Sequence, residues 1–158
     1  MTGLADQLGV NRVTLYRWVG TREALLVEII WSLAERTLDD LREEVDASGG
    51  ERVVQVVSRF VDAVLSNPGM SRFLREEGEL AMRLLTRRDA GFQPRLIADF
   101  RGMLEEEAER GALDLPADLG DVAYTIVRIV ESYVYLDRIM GEEPDARRAE
   151  QVLRLLLR

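Results

Sequence analysis

The stretch from Thr2 to Leu26, TGLADQLGVNRVTLYRWVGTREALL, limits the possible fold more than any other part of the chain. Leu4, Ala5 and Leu8 fall at i, i+1 and i+4, which predicts a short helix with one apolar stripe. Gly9 stands where a helix is closed by a left-handed residue, and Val10 is an apolar plug for the turn. Asn11 is suited to cap a second helix, Gly20 ends it, and Thr21 is placed to cap a third that opens with Arg22-Glu23-Ala24-Leu25-Leu26. Two short helices around a tight turn, running straight into a longer one, make a helix-turn-helix. Its second helix carries Arg12, Thr14, Tyr16, Arg17 and Trp18 within seven residues. Cations, a hydroxyl and aromatic tips on one short helix suit a surface that meets phosphates and base edges.

The rest of the chain continues in helical periodicity, broken at a few clear points. Residues 21–44 form one long helix, and Ser48-Gly49-Gly50 interrupts it. Val53, Val54, Val57, Phe60, Val61 and Val64 stripe a helix over 51–65, which Asn67-Pro68-Gly69 ends. A helix is expected over 70–88, with Gly78 as a kink, and another over 92–110. Asp118 is placed to cap the most apolar helix, 118–140, which Gly141 ends. Pro144 fits the first position of a last helix. The expected fold is all-α, with eight helices, two short and six longer: an N-terminal helix-turn-helix head on a helical bundle.

Composition excludes more than it specifies. Hydrophobic residues make up 47 %, enough for a core, and neither Cys nor His occurs. That removes disulfides, thiol chemistry and the commonest general base and metal ligand. No nucleophile elbow, phosphate loop or ExxH metal pattern is present. The chain is therefore expected to be no enzyme and to use no cofactor and no metal. Without a signal peptide or a membrane-length apolar run, a soluble cytoplasmic protein is expected. The net charge of −8 argues against nucleic acid until its distribution is considered. Within residues 1–22, Arg12, Arg17 and Arg22 stand against Asp6 alone, so the head is locally basic and the body carries the acidity.

The head resembles the TetR/AcrR family of bacterial repressors. The resemblance rests on Leu8-Gly9-Val10-Asn11, Thr14-Leu15-Tyr16-Arg17-Trp18 and Thr21-Arg22-Glu23-Ala24-Leu25-Leu26; Val19 departs from it, standing where the family usually has Phe. The stretches GGERV, EEGELAMRLLTRR and ARRAEQVLRLLLR resemble the QsdR branch of that family. The resemblance implies a head over 1–22, with the linking helix from 21, and a ligand-binding and dimerisation domain over 23–158. It further implies a repressor released by a small, largely apolar effector. Such a protein acts as a homodimer through its last two helices on a pseudo-palindromic operator of double-stranded DNA. Family members have one more helix ahead of the one that starts near Thr2. The given chain starts after it, so Leu4, Leu8, Leu25 and Ile29 are expected to lack apolar cover.

Carried over by position, Asn11, Thr14, Tyr16, Trp18 and Arg22 would contact phosphates, and Arg12, Val13 and Arg17 would reach base edges. The plainer alternative is that Tyr16 and Trp18 pack the small head and the arginines are solvated. For the ligand site the candidates are Phe60, Phe73, Met82, Leu85, Phe100, Met103 and Leu104, followed by Tyr124, Val127, Tyr133 and Tyr135. An apolar stripe of this kind is equally what an ordinary core requires. Arg128 and Glu131 are the sharper pair, three residues apart on the most apolar helix, where an unpaired charge is costly. Either they pair with each other or across a dimer, or one anchors a polar ligand group in an apolar cavity. The competing function is a dimeric ligand-binding module without competent DNA binding.

Overall fold

The computed structural model describes residues 2–158, apart from the side chains of Thr2, Leu4, Arg12 and Leu15. Described residues form helices and no strand. In order these are α1 (Thr2–Gln7), α2 (Arg12–Val19), α3 (Arg22–Glu44), α4 (Gly49–Ser66) and α5 (Pro68–Glu76). Then come α6 (Gly78–Thr86), a 3-10 turn (Arg88–Ala90), α7 (Phe92–Glu109), α8 (Leu119–Val134), α9 (Leu136–Met140) and α10 (Ala146–Leu156). None of them is long and apolar enough to cross a membrane.

Helix α4 is the axis of the body, packed by α3, α5, α7, α8 and α10. Its valines are poor helix formers taken singly, so burial of the stripe, rather than propensity, holds it helical. Val53, Val56, Val57 and Val61 are sealed, against Phe100 and Leu104 of α7, Ile126 of α8 and Leu153 of α10 in the same core. Gly49 and Gly50 do more than interrupt the chain. A Cβ on Gly50 would lie 2.0 Å from the carbonyl oxygen of Leu157, and Gly49 holds φ +61° against Ala112. The N-terminus of α4 thus threads between the α7–α8 turn and the end of α10. Glu107, 1 % exposed, accepts the Gly49 N–H at 2.7 Å and pairs with Arg110 at 2.7 Å, which satisfies its buried charge.

The long helix α3 lies along this body. Trp31 meets Phe92 of α7 edge-on at 5.9 Å, and Arg95 stacks over Trp31 while pairing with Glu28. At its far end Arg42 pairs with Asp99 at 2.6 Å, and burial raises the Asp99 carboxyl against that partner. Helix α1 packs on α2, and α2 on the start of α3.

The helix count differs from the eight expected. Residues 70–88 are two helices: α5 begins earlier, at Pro68 behind an Asn67 cap, and the chain turns at Glu77 before α6. The guanidinium of Arg138 fills the space over Gly78 and donates to the Arg75 carbonyl at 2.9 Å, so a tertiary contact closes α5 where the apolar pattern runs on. The 118–140 helix likewise divides at Tyr135 into α8 and α9. Pro144 is not the first residue of the last helix; Asp145 caps it and α10 starts at Ala146.

Candidate functional site

The head is set by its caps. Gly9 takes φ +65° and Val10 N–H donates to the Ala5 carbonyl at 3.1 Å, closing α1 over a buried Ala5. The Asn11 side chain accepts the Thr14 N–H at 2.8 Å, and Gly20 N–H returns to Tyr16 at 2.9 Å to end α2. Thr21 then accepts the Ala24 N–H at 3.0 Å and opens α3. Each capping residue read from the sequence occupies its expected position.

These caps leave an outward face on α2. Val13, Tyr16 and Arg17 form one line at i, i+3 and i+4, and Asn11, Thr14 and Trp18 form the neighbouring one. Val13 is 78 % exposed and Trp18 61 %, so the helix presents apolar and aromatic groups to solvent rather than folding them under. Arg17 is exposed, Thr14 is half-buried, and the side chain of Arg12 lies outside the described residues. Arg22 is exposed too, but its guanidinium stands 3.4 Å from Glu77 at the α5–α6 turn. The expected gap in apolar cover coincides with an open flank: Leu8 is 56 % exposed and Ile29 48 %, while Leu25 is half-buried and the Leu4 side chain lies outside the described residues.

A second feature lies in the body. A cavity of about 300 Å³ is enclosed by α3, α4, α5, α7 and α8, with Leu85 of α6 at its edge. Phe60, Phe73, Leu85, Glu131 and Tyr135 line it. The remaining sequence candidates do not. Phe100, Met103, Leu104 and Val127 are at most 1 % exposed and sealed in the core, with Phe100 edge-on to Phe60 at 6.4 Å. Met82 is half-buried on α6 away from the cavity, and Tyr124 is 50 % exposed on the outer side of α8. Sequence reasoning missed the α3 wall, Leu26, Ile30, Leu33 and Thr37, together with Phe92 and Leu96 of α7. The signal was present: 26, 30, 33 and 37 repeat at helical spacing beside the stripe that anchors α3.

Glu131 carries the only carboxyl group among the lining residues. One oxygen accepts Gln93 Nε2 at 2.8 Å, and the other accepts Arg128 Nη1 at 2.5 Å, so the two charges pair along α8. Arg128 itself is half-exposed and does not line the cavity. Burial raises the Glu131 carboxyl above the usual range, opposed by the Gln93 hydrogen bond and the Arg128 charge. Tyr135, one turn on, has a hydroxyl sealed from solvent without a partner. Burial and the Glu131 charge push that phenol up, so it stays protonated.

Ion pairs join the two features. Along the first turns of α3, Arg22 pairs with Glu77, Glu23 with Arg83 at 2.7 Å, and Glu28 with Arg95 at 2.6 Å. The helix that carries the head is thereby held to the helices around the cavity.

Residues 48–158 match the tetracyclin repressor-like C-terminal domain. The chain belongs to the TetR family. Its fold is also that of the transcriptional repressor QsdR of R. erythropolis, with a TM-score of 0.88 at 24 % identity over 99 % of this chain and 82 % of that one. No curated protein matches the chain. In this TetR-family chain the matched domain holds the whole of α4 to α10, and α3 supplies the remaining wall of the cavity.

Proposed function

We propose that the chain is a ligand-responsive transcriptional repressor: a homodimer in the cytoplasm that reads a pseudo-palindromic operator and is released by a small, largely apolar effector. The observation that carries this reading is the double use of α3. Its first turn receives α2, and Leu26, Ile30, Leu33 and Thr37 further along wall the cavity. A ligand that favours one arrangement of this wall favours one pose of the head, which is the differential affinity that coupling requires. On the head, Val13 and Arg17 face base edges and Asn11, Thr14, Tyr16, Trp18 and Arg22 face phosphates, with Arg12 beside them. Dimerisation is supported by the outward apolar residues of the last long helices, Tyr124 on α8 and Leu155 on α10, the latter 64 % exposed. A two-fold pair would set two recognition helices roughly 34 Å apart.

The second reading, a dimeric ligand-binding module without competent DNA binding, is favoured by Glu77, which engages the Arg22 guanidinium assigned to a phosphate. Fluorescence anisotropy with DNA flanking the gene separates the two. A repressor binds that DNA at low salt and lets go on addition of effector. Absence of binding, both by this chain and by a form extended with upstream codons, overturns the repressor.

A further inference from the structure

We infer that the cavity takes a neutral amphiphile, an apolar chain whose uncharged head group donates a hydrogen bond to Glu131. This rests on the ligand-binding reading above and adds the chemical class of the ligand.

The walls fix the first half. They are built from Leu, Ile, Val, Phe and Met side chains of five helices, and the polar groups among them belong to Thr37, Asn67, Glu131 and Tyr135. Such a lining buries a chain favourably and offers a few points for a head group.

The charges fix the second half. No arginine lines the cavity, and the chain has no Lys or His. A carboxylate or phosphate head would lose its water beside the Glu131 carboxylate with no cation among the lining residues to receive it, Arg128 being held by Glu131 outside them. A cationic head meets the opposite difficulty. Glu131 already holds Arg128 at 2.5 Å, so a ligand cation would compete with that guanidinium or place two cations on one carboxylate. An uncharged donor has neither problem. Two of the roughly four acceptor sites of the carboxylate are taken, by Gln93 and Arg128, which leaves room for a further N–H or O–H. Tyr135 lines the cavity one turn away, but its hydroxyl is sealed from the cavity as from solvent and offers no contact to the head group. A primary amide, uncharged and with two N–H donors, meets these requirements.

The test is isothermal titration of the whole chain, at pH 7 and below the micelle threshold, with decanamide, decanoate and decyltrimethylammonium. The shared chain length isolates the head group. Decanamide is expected to bind about tenfold more tightly than either charged compound, a difference of about 1.4 kcal/mol. In Glu131→Gln the discrimination against decanoate should fall to about threefold or less, because the repelling charge is gone. Tyr135→Phe, which removes a hydroxyl that the head group does not reach, should leave the order of the three affinities unchanged. Circular dichroism melts of both variants establish that they are folded. Equal binding of all three compounds, or tighter binding of either charged one, overturns the neutral class and leaves the cavity as a ligand site. Failure of all three to bind overturns the ligand-binding reading itself.

Discussion

Arg22 has two claims on it. As part of the head it would meet a backbone phosphate, yet in the structure Glu77 takes it at 3.4 Å. An exposed pair of this kind contributes only about 0.2–1 kcal/mol, so it is a weak competitor and not a pillar of the fold. Glu77→Gln should therefore leave the melting temperature unchanged and tighten operator binding about two- to fivefold, read by anisotropy. Arg17→Ala should do the reverse, weakening the preferred operator by about tenfold or more while random DNA loses far less. Glu131 provides the pH-dependent counterpart. Burial raises its carboxyl in the fold relative to the unfolded chain, so its ionised form detracts from stability at neutral pH. That detraction disappears as pH falls through the raised value. Glu131→Gln should raise the urea midpoint at pH 7, and the gain should vanish near pH 4; a gain independent of pH would contradict the assignment. At this scale the caps were legible, because Asn11, Thr21 and Asp118 act on backbone groups within three residues. Depth was not. Phe100 and Met103 show the same periodicity as Phe60, but spacing gives the face of a helix and not what lies beyond it.

Among the elements, α5 has the least independence. Its residues Met70, Phe73 and Leu74 form cavity wall, and Glu77 at its end holds Arg22. A displacement of this one helix would reach ligand and head together. The break that makes it a separate element was hidden in the sequence, since the apolar stripe passes through Glu77 and only Arg138, sixty residues away, explains the turn. The same holds for Tyr135 between α8 and α9. The glycines at the two breaks differ in consequence. At Gly78 an added methyl would strike the end of a flexible arginine, whereas at Gly50 it would strike the Leu157 carbonyl at 2.0 Å. Gly50→Ala should thus cost about 1–3 kcal/mol or more by overpacking, and push the end of α10 off α4. Gly78→Ala should cost clearly less in the same denaturation experiment; equal costs would mean that Arg138 is as fixed as backbone.

For the whole molecule, charge and symmetry decide how an acidic protein binds DNA. On the proposed function the acidic body repels phosphate, so affinity would depend on the few arginines of each head, Arg12, Arg17 and Arg22, and on having two heads act at once. A single head with three arginines, Arg22 assigned to a phosphate and Arg12 and Arg17 to base edges, binds weakly and non-specifically at physiological salt. A dimer adds the contacts of both, and the second head engages at the high local concentration set by the first. The salt dependence therefore counts the heads. With about six counterions displaced by the arginines of a dimer, the logarithm of the binding constant should fall with that of salt at a slope of about −5. Leu155→Glu places a charge on an exposed position of α10, where a monomer tolerates it and a paired α10 does not. Sedimentation of this variant should show monomers with an unchanged helical spectrum. Its slope on operator DNA should drop to about half, together with most of the affinity. A variant that stays dimeric would move the interface away from α10, and a monomer that keeps the full slope would place the phosphate contacts outside the paired heads.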